Sequence, residues 1–119
     1  MEDRSGKPDT LVVLWSSGDR EVATRMVFMY TLNAKRKGWW HDVALIVWGP
    51  SAKLLTEDGE LQERIEEIRQ AGVGLLACKA CSDIYGVSEG LEKLGVEVKY
   101  MGEPLTQMLK DEHKRVITF

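Results

Sequence analysis

Cysteine and histidine are scarce in this chain, with two of each in 119 residues. Two cysteines are too few for the disulfide framework that staples small secreted domains, and a domain of this length needs no staple. No apolar run approaches membrane-spanning length, and the polar stretch Met1 to Asp9 has no apolar signal core. A cytoplasmic protein without a membrane partner is the expectation. An excess of positive charge is also missing: 16 Lys and Arg stand against 19 Asp and Glu, a net charge of −3. That balance argues against a nucleic-acid partner. Neither a G-x-G-x-x-G nor a phosphate-loop Gly-Lys-Ser/Thr occurs, so no nucleotide cofactor is expected. Repeats and low-complexity tracts are absent as well.

What is present is an alternation of short apolar runs with helical patterns. Thr10 to Trp15, Val43 to Trp48 and Val73 to Ala77 read as strands covered on both faces. Val96 to Tyr100 alternates with charged residues and reads as a strand nearer the sheet edge, and Val116 to Phe119 as a fifth strand. Between them lie helical stretches. Arg20 to about Arg36 has Val22, Met26, Tyr30 and Ala34 on one line, with Phe28, Met29 and Leu32 widening the apolar surface beyond one stripe. Such a helix asks for a second covering layer, so part of it is expected in a subunit interface. Ser51 is expected to cap a short helix through Leu55, Asp58 and Gly59 to open a longer one, Ser88 to cap another, and Pro104 to start a last helix with Leu105, Met108 and Leu109 facing in. The rhythm implies right-handed βαβ crossovers. The expected fold class is α/β, a single three-layer α/β/α domain over residues 10–119 with a mostly parallel five-stranded sheet, preceded by a mobile start at residues 1–9. Strand order is not readable from the pattern.

The chain is organised around GVGLLACKACSDIYGV, Gly72 to Val87. A buried strand runs into Cys78-Lys79-Ala80-Cys81, which opens a helix. In a parallel sheet the carboxyl ends of the strands are where ligands and chemistry sit. Cys78 is therefore the candidate nucleophile, its thiolate favoured by the helix start and by Lys79. Cys81, three residues on, lies within its reach. The same edge collects Ser16, Ser17, Gly18, Asp19, Gly49 and Ser51 as site-lining candidates, with Lys79 and Tyr85 on the cysteine helix. His41 and His113 fall at the opposite edge, a strand length away, which rules out a cysteine hydrolase because that chemistry needs an imidazole at the thiol. One C-x-x-C supplies two of zinc's four ligands, so no metal is expected. The Lys35 to Trp40 cluster reads as a solvated helix end with aromatic packing. From the residues alone, sulfur carriage, a dithiol redox pair and a non-catalytic binding module all stay open.

The order of elements, the Gly-Val, apolar strand, Cys, short helix, Gly-Val block and the basic-then-apolar close HKRVITF resemble the DsrE/DsrF-like family of TusD-like sulfur-relay proteins, over Thr10 to Phe119. The resemblance implies that Cys78, matching the cysteine that ends the third strand, carries sulfur as a persulfide. A sulfurtransferase of this kind takes sulfur from a donor protein and hands it to an acceptor thiol. It further implies a homo-oligomer, a trimer or hexamer, in keeping with the overly apolar first helix. Cys81 lacks a counterpart in some members. On spacing alone, it can expel the outer sulfur by forming a disulfide with Cys78.

Overall fold

The computed structural model describes residues 7–119; the first six residues of the expected mobile start lie outside the described part. Asp9 is already held, its N–H donating to the His113 carbonyl at 2.9 Å. The apolar runs form β1 (Thr10–Trp15), β2 (Asp42–Val47) and β3 (Gly74–Cys78), joined by β4 (Glu97–Lys99) and β5 (Lys114–Thr118). They make one sheet in the order β4-β3-β2-β1-β5, with every neighbouring pair parallel. The expected α/β class and five-stranded parallel sheet are what the chain adopts. β2 holds the middle, β3 lies one place off it, and β4 is an edge strand as its alternation implied.

Stepping in one direction from β1 to β4 by right-handed crossovers puts the connecting helices on one face, and the return to β5 puts its helix on the other. The first helix, α1, is continuous over residues 20–36. It is followed by α2 (Pro50–Glu57), α3 (Gly59–Gln70), α4 (Lys79–Tyr85), α5 (Ser88–Lys93) and α6 (Gly102–Lys110). Two cores result. The larger joins Leu11, Val13, Trp15, Leu45 and Val47 to Phe28, Leu61, Ile65 and Leu91, on the side of α1, α2, α3 and α5. The smaller joins Val12, Ile46, Cys78 and Met101 to Leu105 and Met108 of α6. Leu109, expected inward, is 63% exposed, because α6 covers its face with one narrow stripe.

α1 departs from simple helical spacing. Between Arg20–Val22 and Phe28–Arg36 it passes through a π-helical turn, Ala23–Val27, in which the Phe28 N–H reaches the Ala23 carbonyl five residues back. The extra residue brings Ala23, Val27, Phe28, Thr31 and Ala34 onto the buried face, and Phe28 packs edge-on against Trp15 with centroids 5.1 Å apart. Met26, read as a core position from a 3.6-residue period, turns outward to 49% exposure.

Thr31 Oγ1 is fully buried and finds no hydrogen-bond partner among the described residues. A hydroxyl in that state opposes folding by about 1 kcal/mol relative to a methyl. Thr31→Val is accordingly expected to raise the thermal midpoint by roughly 3–5 °C for a chain this size, as read by differential scanning calorimetry.

Caps follow local chemistry in two places and depart from expectation in two. Asp19 accepts from the Glu21 and Val22 N–H groups at the start of α1, and Asp58 accepts from Glu60 and Leu61 at the start of α3. Ser51 does not cap α2. Pro50 is already the first helical residue, Gly49 stands at the cap with φ 81°, and the Ser51 hydroxyl instead donates to the Trp15 carbonyl at 2.5 Å, tying the ends of β1 and β2. Ser88 lies inside α5 and donates to Asp83.

Asp58 also receives Arg20 Nε at 2.8 Å. That hydrogen bond and charge, with the Leu61 and Glu60 N–H groups, hold its carboxyl below the usual carboxylate range. A folded-state value below the unfolded one gives stability that is complete above pH ~4 and fades as pH falls through the folded value. In urea titrations the gap between the parent and Asp58→Asn, which keeps a capping acceptor but no charge, should be widest near neutrality and close as pH falls through the folded-state value.

Candidate functional site

β3 delivers Cys78 to the carboxyl edge of the sheet as its last residue, in extended conformation and as the cap of α4. The side chain alternates onto the smaller core and is 4% exposed. It makes no capping hydrogen bond to the first turn of α4, so the expected contact between this sulfur and the helix-start N–H groups is not formed. Lys79 is likewise engaged elsewhere. Its Nζ pairs with Asp83 at 2.7 Å and lies 5.8 Å from the centre of the Tyr100 ring.

The sulfur's neighbour is Cys81, half-buried one turn along α4 and packed into the same cluster. Burial pushes the Cys81 thiol up, and Cys78 adds to this by its charge and by a shared hydrogen bond. The Gly49 backbone and the Trp48 side chain pull the other way. The net shift is upward. Both cysteines are free thiols.

Strand register explains who surrounds the pair. Val47 pairs with Ala77, so the next residues, Trp48 and Cys78, lie side by side, while Cys78 itself pairs with Lys99 of β4. Paired residues of parallel strands project to the same face. Trp48 and Lys99 therefore flank the nucleophile, and Met101, fully buried, packs against it. None of these three was singled out from the sequence. Trp48 ends the second apolar run at the correct edge, a usable signal, but choosing it required knowing that β2 is the neighbour of β3.

The other candidate residues are dispersed by that same strand order. β2 stands between β1 and β3, so Ser16 to Asp19 leave the sheet two strands from Cys78, about 10 Å away. Ser16 Oγ donates to the Phe119 carbonyl, Ser17 Oγ accepts from the Asp19 N–H, and Asp19 caps α1. Gly18 approaches the second loop so closely that a β-carbon there would meet Pro50 Cβ at 3.1 Å. Gly49 stands at the cap of α2, and Ser51 is the strut already described. Tyr85, with Ile84, follows Cys81 at helical spacing and is exposed, Ile84 to 84%. His41 and His113 lie at the opposite edge, where the carbonyl of His41 accepts from Lys35 Nζ. A hollow of about 380 Å³ there, lined in part by Trp39, Trp40 and His41, is a sheet length from the thiols. Among the described residues, no three His, Cys, Asp or Glu side chains cluster to hold a metal, and no helix is long and apolar enough to cross a membrane.

A parallel five-stranded sheet with two thiols in contact at its carboxyl edge defines a small α/β thiol protein. Residues 10–119 match the DsrE/DsrF-like family, and the chain belongs to it. A conserved protein of unknown function from Bacteroides thetaiotaomicron, BT1422, is 37% identical, with 93% of this chain and 95% of that one covered and a TM-score of 0.89. The ychN protein from E. coli shares the fold at 19% identity and a TM-score of 0.68, covering 94% of this chain and 99% of its own. No curated protein matches the sequence.

Proposed function

We propose that this protein carries sulfur as a persulfide on Cys78 and passes it to a partner's thiol. The observation that carries the reading is the contact between Cys78 and Cys81 at the carboxyl edge of β3. Membership of the DsrE/DsrF-like family supports sulfur relay in general. In loading, the Cys78 thiolate attacks the outer sulfur of a donor persulfide, R–S–SH. The donor S–S bond breaks, R–S⁻ leaves, and Cys78–S–SH remains. In discharge an acceptor thiolate attacks that outer sulfur and Cys78–S⁻ leaves, so neither step needs an external oxidant or reductant. Cys81, whose thiol burial pushes up, stands beside Cys78 in the same buried cluster. Donor and acceptor are read as proteins. Ile84, Tyr85 and Tyr100, large apolar groups left exposed beside Cys81 and Lys79, offer them a rim on which to dock.

A dithiol-disulfide cycle of Cys78 and Cys81 is the second reading, favoured by the same contact. Intact mass after incubation of the reduced protein with a low-molecular-weight alkyl persulfide separates the two. A gain of one sulfur, removed by reductant, is expected in the parent and in Cys81→Ser, which cannot close an internal disulfide; a loss of two hydrogens in the parent with no sulfur gained by Cys81→Ser would move the protein to the redox class. If neither mass change appears, the domain acts through what it binds.

The chain is also read as a cytoplasmic homo-oligomer, a trimer or hexamer, assembled through the exposed side of α1. Met26, Met29 and Trp39 are about half exposed there and border a groove of about 390 Å³ that extends to Ile117 and Phe119 of the edge strand and its end.

A further inference from the structure

We propose that the first turn of α6, together with the Met101 side chain that precedes it, is a gate over Cys78 that leaves the sheet to admit a sulfur donor or acceptor. The inference rests on Cys78 being the reacting group, as above, and concerns how it is reached. Exchange at sulfur needs direct access to the attacking thiolate, and a side chain 4% exposed does not offer it. Part of its cover has to move. Three elements make up that cover, and they are held very differently. β3 itself lies between β2 and β4, parallel to and in register with both. α4 is fastened by a polar network: Lys79 Nζ pairs with Asp83 at 2.7 Å, Asp83 also accepts from the Ser88 hydroxyl, and Ser88 shares a hydrogen bond of 2.6 Å with Ser82, which is fully buried. Lifting α4 would strand these groups without partners.

The third element is held by apolar contact alone. Met101 is fully buried in the cluster that contains Cys78, and Leu105 and Met108 of α6 pack against that cluster while staying half-buried. Among the described helices α6 is the one that contributes no buried residue, whereas α2, α3, α4 and α5 each bury at least one and α1 buries five. Its side-chain hydrogen bonding stays within the helix, from Thr106 Oγ1 to the Gly102 carbonyl at 2.8 Å. The chain leading into it is pinned only as far as Tyr100, whose ring lies 5.8 Å from Lys79 Nζ. Motion therefore starts at Met101, an unbranched side chain that turns out of a core more readily than a branched one. Segments with few buried apolar contacts open at the least cost, so α6 gives way before the sheet or α4 does. Cys78 then reacts only from the open fraction, and its rate of loading scales with that fraction.

The test uses the full chain in a Cys81→Ser background, so that alkylation by iodoacetamide, followed by intact mass, reports Cys78 alone. Gly102→Ala should hold the gate shut. A β-carbon there meets nothing within 4 Å and φ is not positive, so the closed form accepts it while the opened chain loses freedom. Alkylation should slow by about threefold. Leu105→Ala removes one of the two α6 side chains that close the gate and should quicken it by about tenfold. Hydrogen exchange of the α6 amides, read by mass spectrometry, should shift by the same factors. Urea below the unfolding transition separates local opening from global unfolding: alkylation and α6 exchange should stay nearly flat while the slowest β2 amides quicken steeply. Alkylation that climbs with urea as β2 exchange does, or that neither substitution moves, would overturn the gate. Loading by the alkyl persulfide should slow in Gly102→Ala by the same factor as alkylation. Equal loading in parent and Gly102→Ala would remove the gate and leave the persulfide function standing. A Cys78 that is alkylated in step with α6 but takes up no sulfur would overturn the function and leave the gate.

Discussion

Cys78→Ser is expected to bring retained sulfur down to background, at least about a hundredfold below the parent, after the same exposure to an alkyl persulfide. A serine oxygen keeps the volume of the thiol in its tight site, where Cys78 is 4% exposed, but it is not ionised near neutrality and forms no stable bond to sulfur. Cys81 is not a substitute, because burial holds its thiol up and leaves little thiolate at neutral pH. The substitution also removes the charge with which Cys78 raises Cys81. Alkylation of Cys81 should therefore be faster at neutral pH in Cys78→Ser than in the parent, a change in the direction opposite to the loss of sulfur. Cys81→Ser should load normally. It should also hold sulfur longer, because in the parent a Cys81 thiolate can attack the inner sulfur of Cys78–S–SH, form the Cys78–Cys81 disulfide and expel HS⁻. If Cys81→Ser releases sulfur as fast as the parent, that side route is not used. Sulfur retained by Cys78→Ser and lost from Cys81→Ser would transfer the carrier role to Cys81.

The strands, the helices between them and the edge that holds Cys78 were legible because each rests on local information: unbroken apolar runs, a glycine or an aspartate at a boundary, the direction of a parallel sheet. Strand order is not local, and the site's details depend on it. Ser16 to Asp19 share the edge with Cys78 but leave the sheet two strands away, whereas Trp48 and Lys99 are its lateral neighbours. The expected help from the start of α4 and from Lys79 fails for a related reason. A cap residue's side chain can turn to the sheet face instead of the helix end, and a lysine with an aspartate one turn ahead pairs with it. The π turn of α1 was hidden because a hydrophobic period read at 3.6 residues has no means of registering one extra residue. That turn buries Ala23, Val27 and Phe28 and leaves Met26 and Met29 at the surface.

The surface it creates leads to the second large effect, on assembly. Met29→Glu is expected to convert the proposed oligomer to monomer at micromolar concentration, by sedimentation velocity, while Met29→Leu preserves it. The helices of the larger core reach across the sheet only as far as β1. β5, in register with β1 through Val13 and Ile117, is left with Ile117 40% exposed beside Met26, Met29 and Trp39. β5 is also an edge strand, its outer side without a partner strand among the described residues. An apolar face bordering an open edge is the kind of surface that soluble chains cover. In the proposed assembly a second copy covers this face, so the substitution places a carboxylate in the contact. An unpaired charge buried there costs several kcal/mol, which weakens association by a factor of about a hundred or more. The cysteine pair lies three strands away, about 14 Å across the sheet, on the face that α6 covers. Sulfur retention by Met29→Glu should accordingly match the parent. Assembly unchanged by the glutamate, or a parent already monomeric at these concentrations, would show that this face serves some other contact.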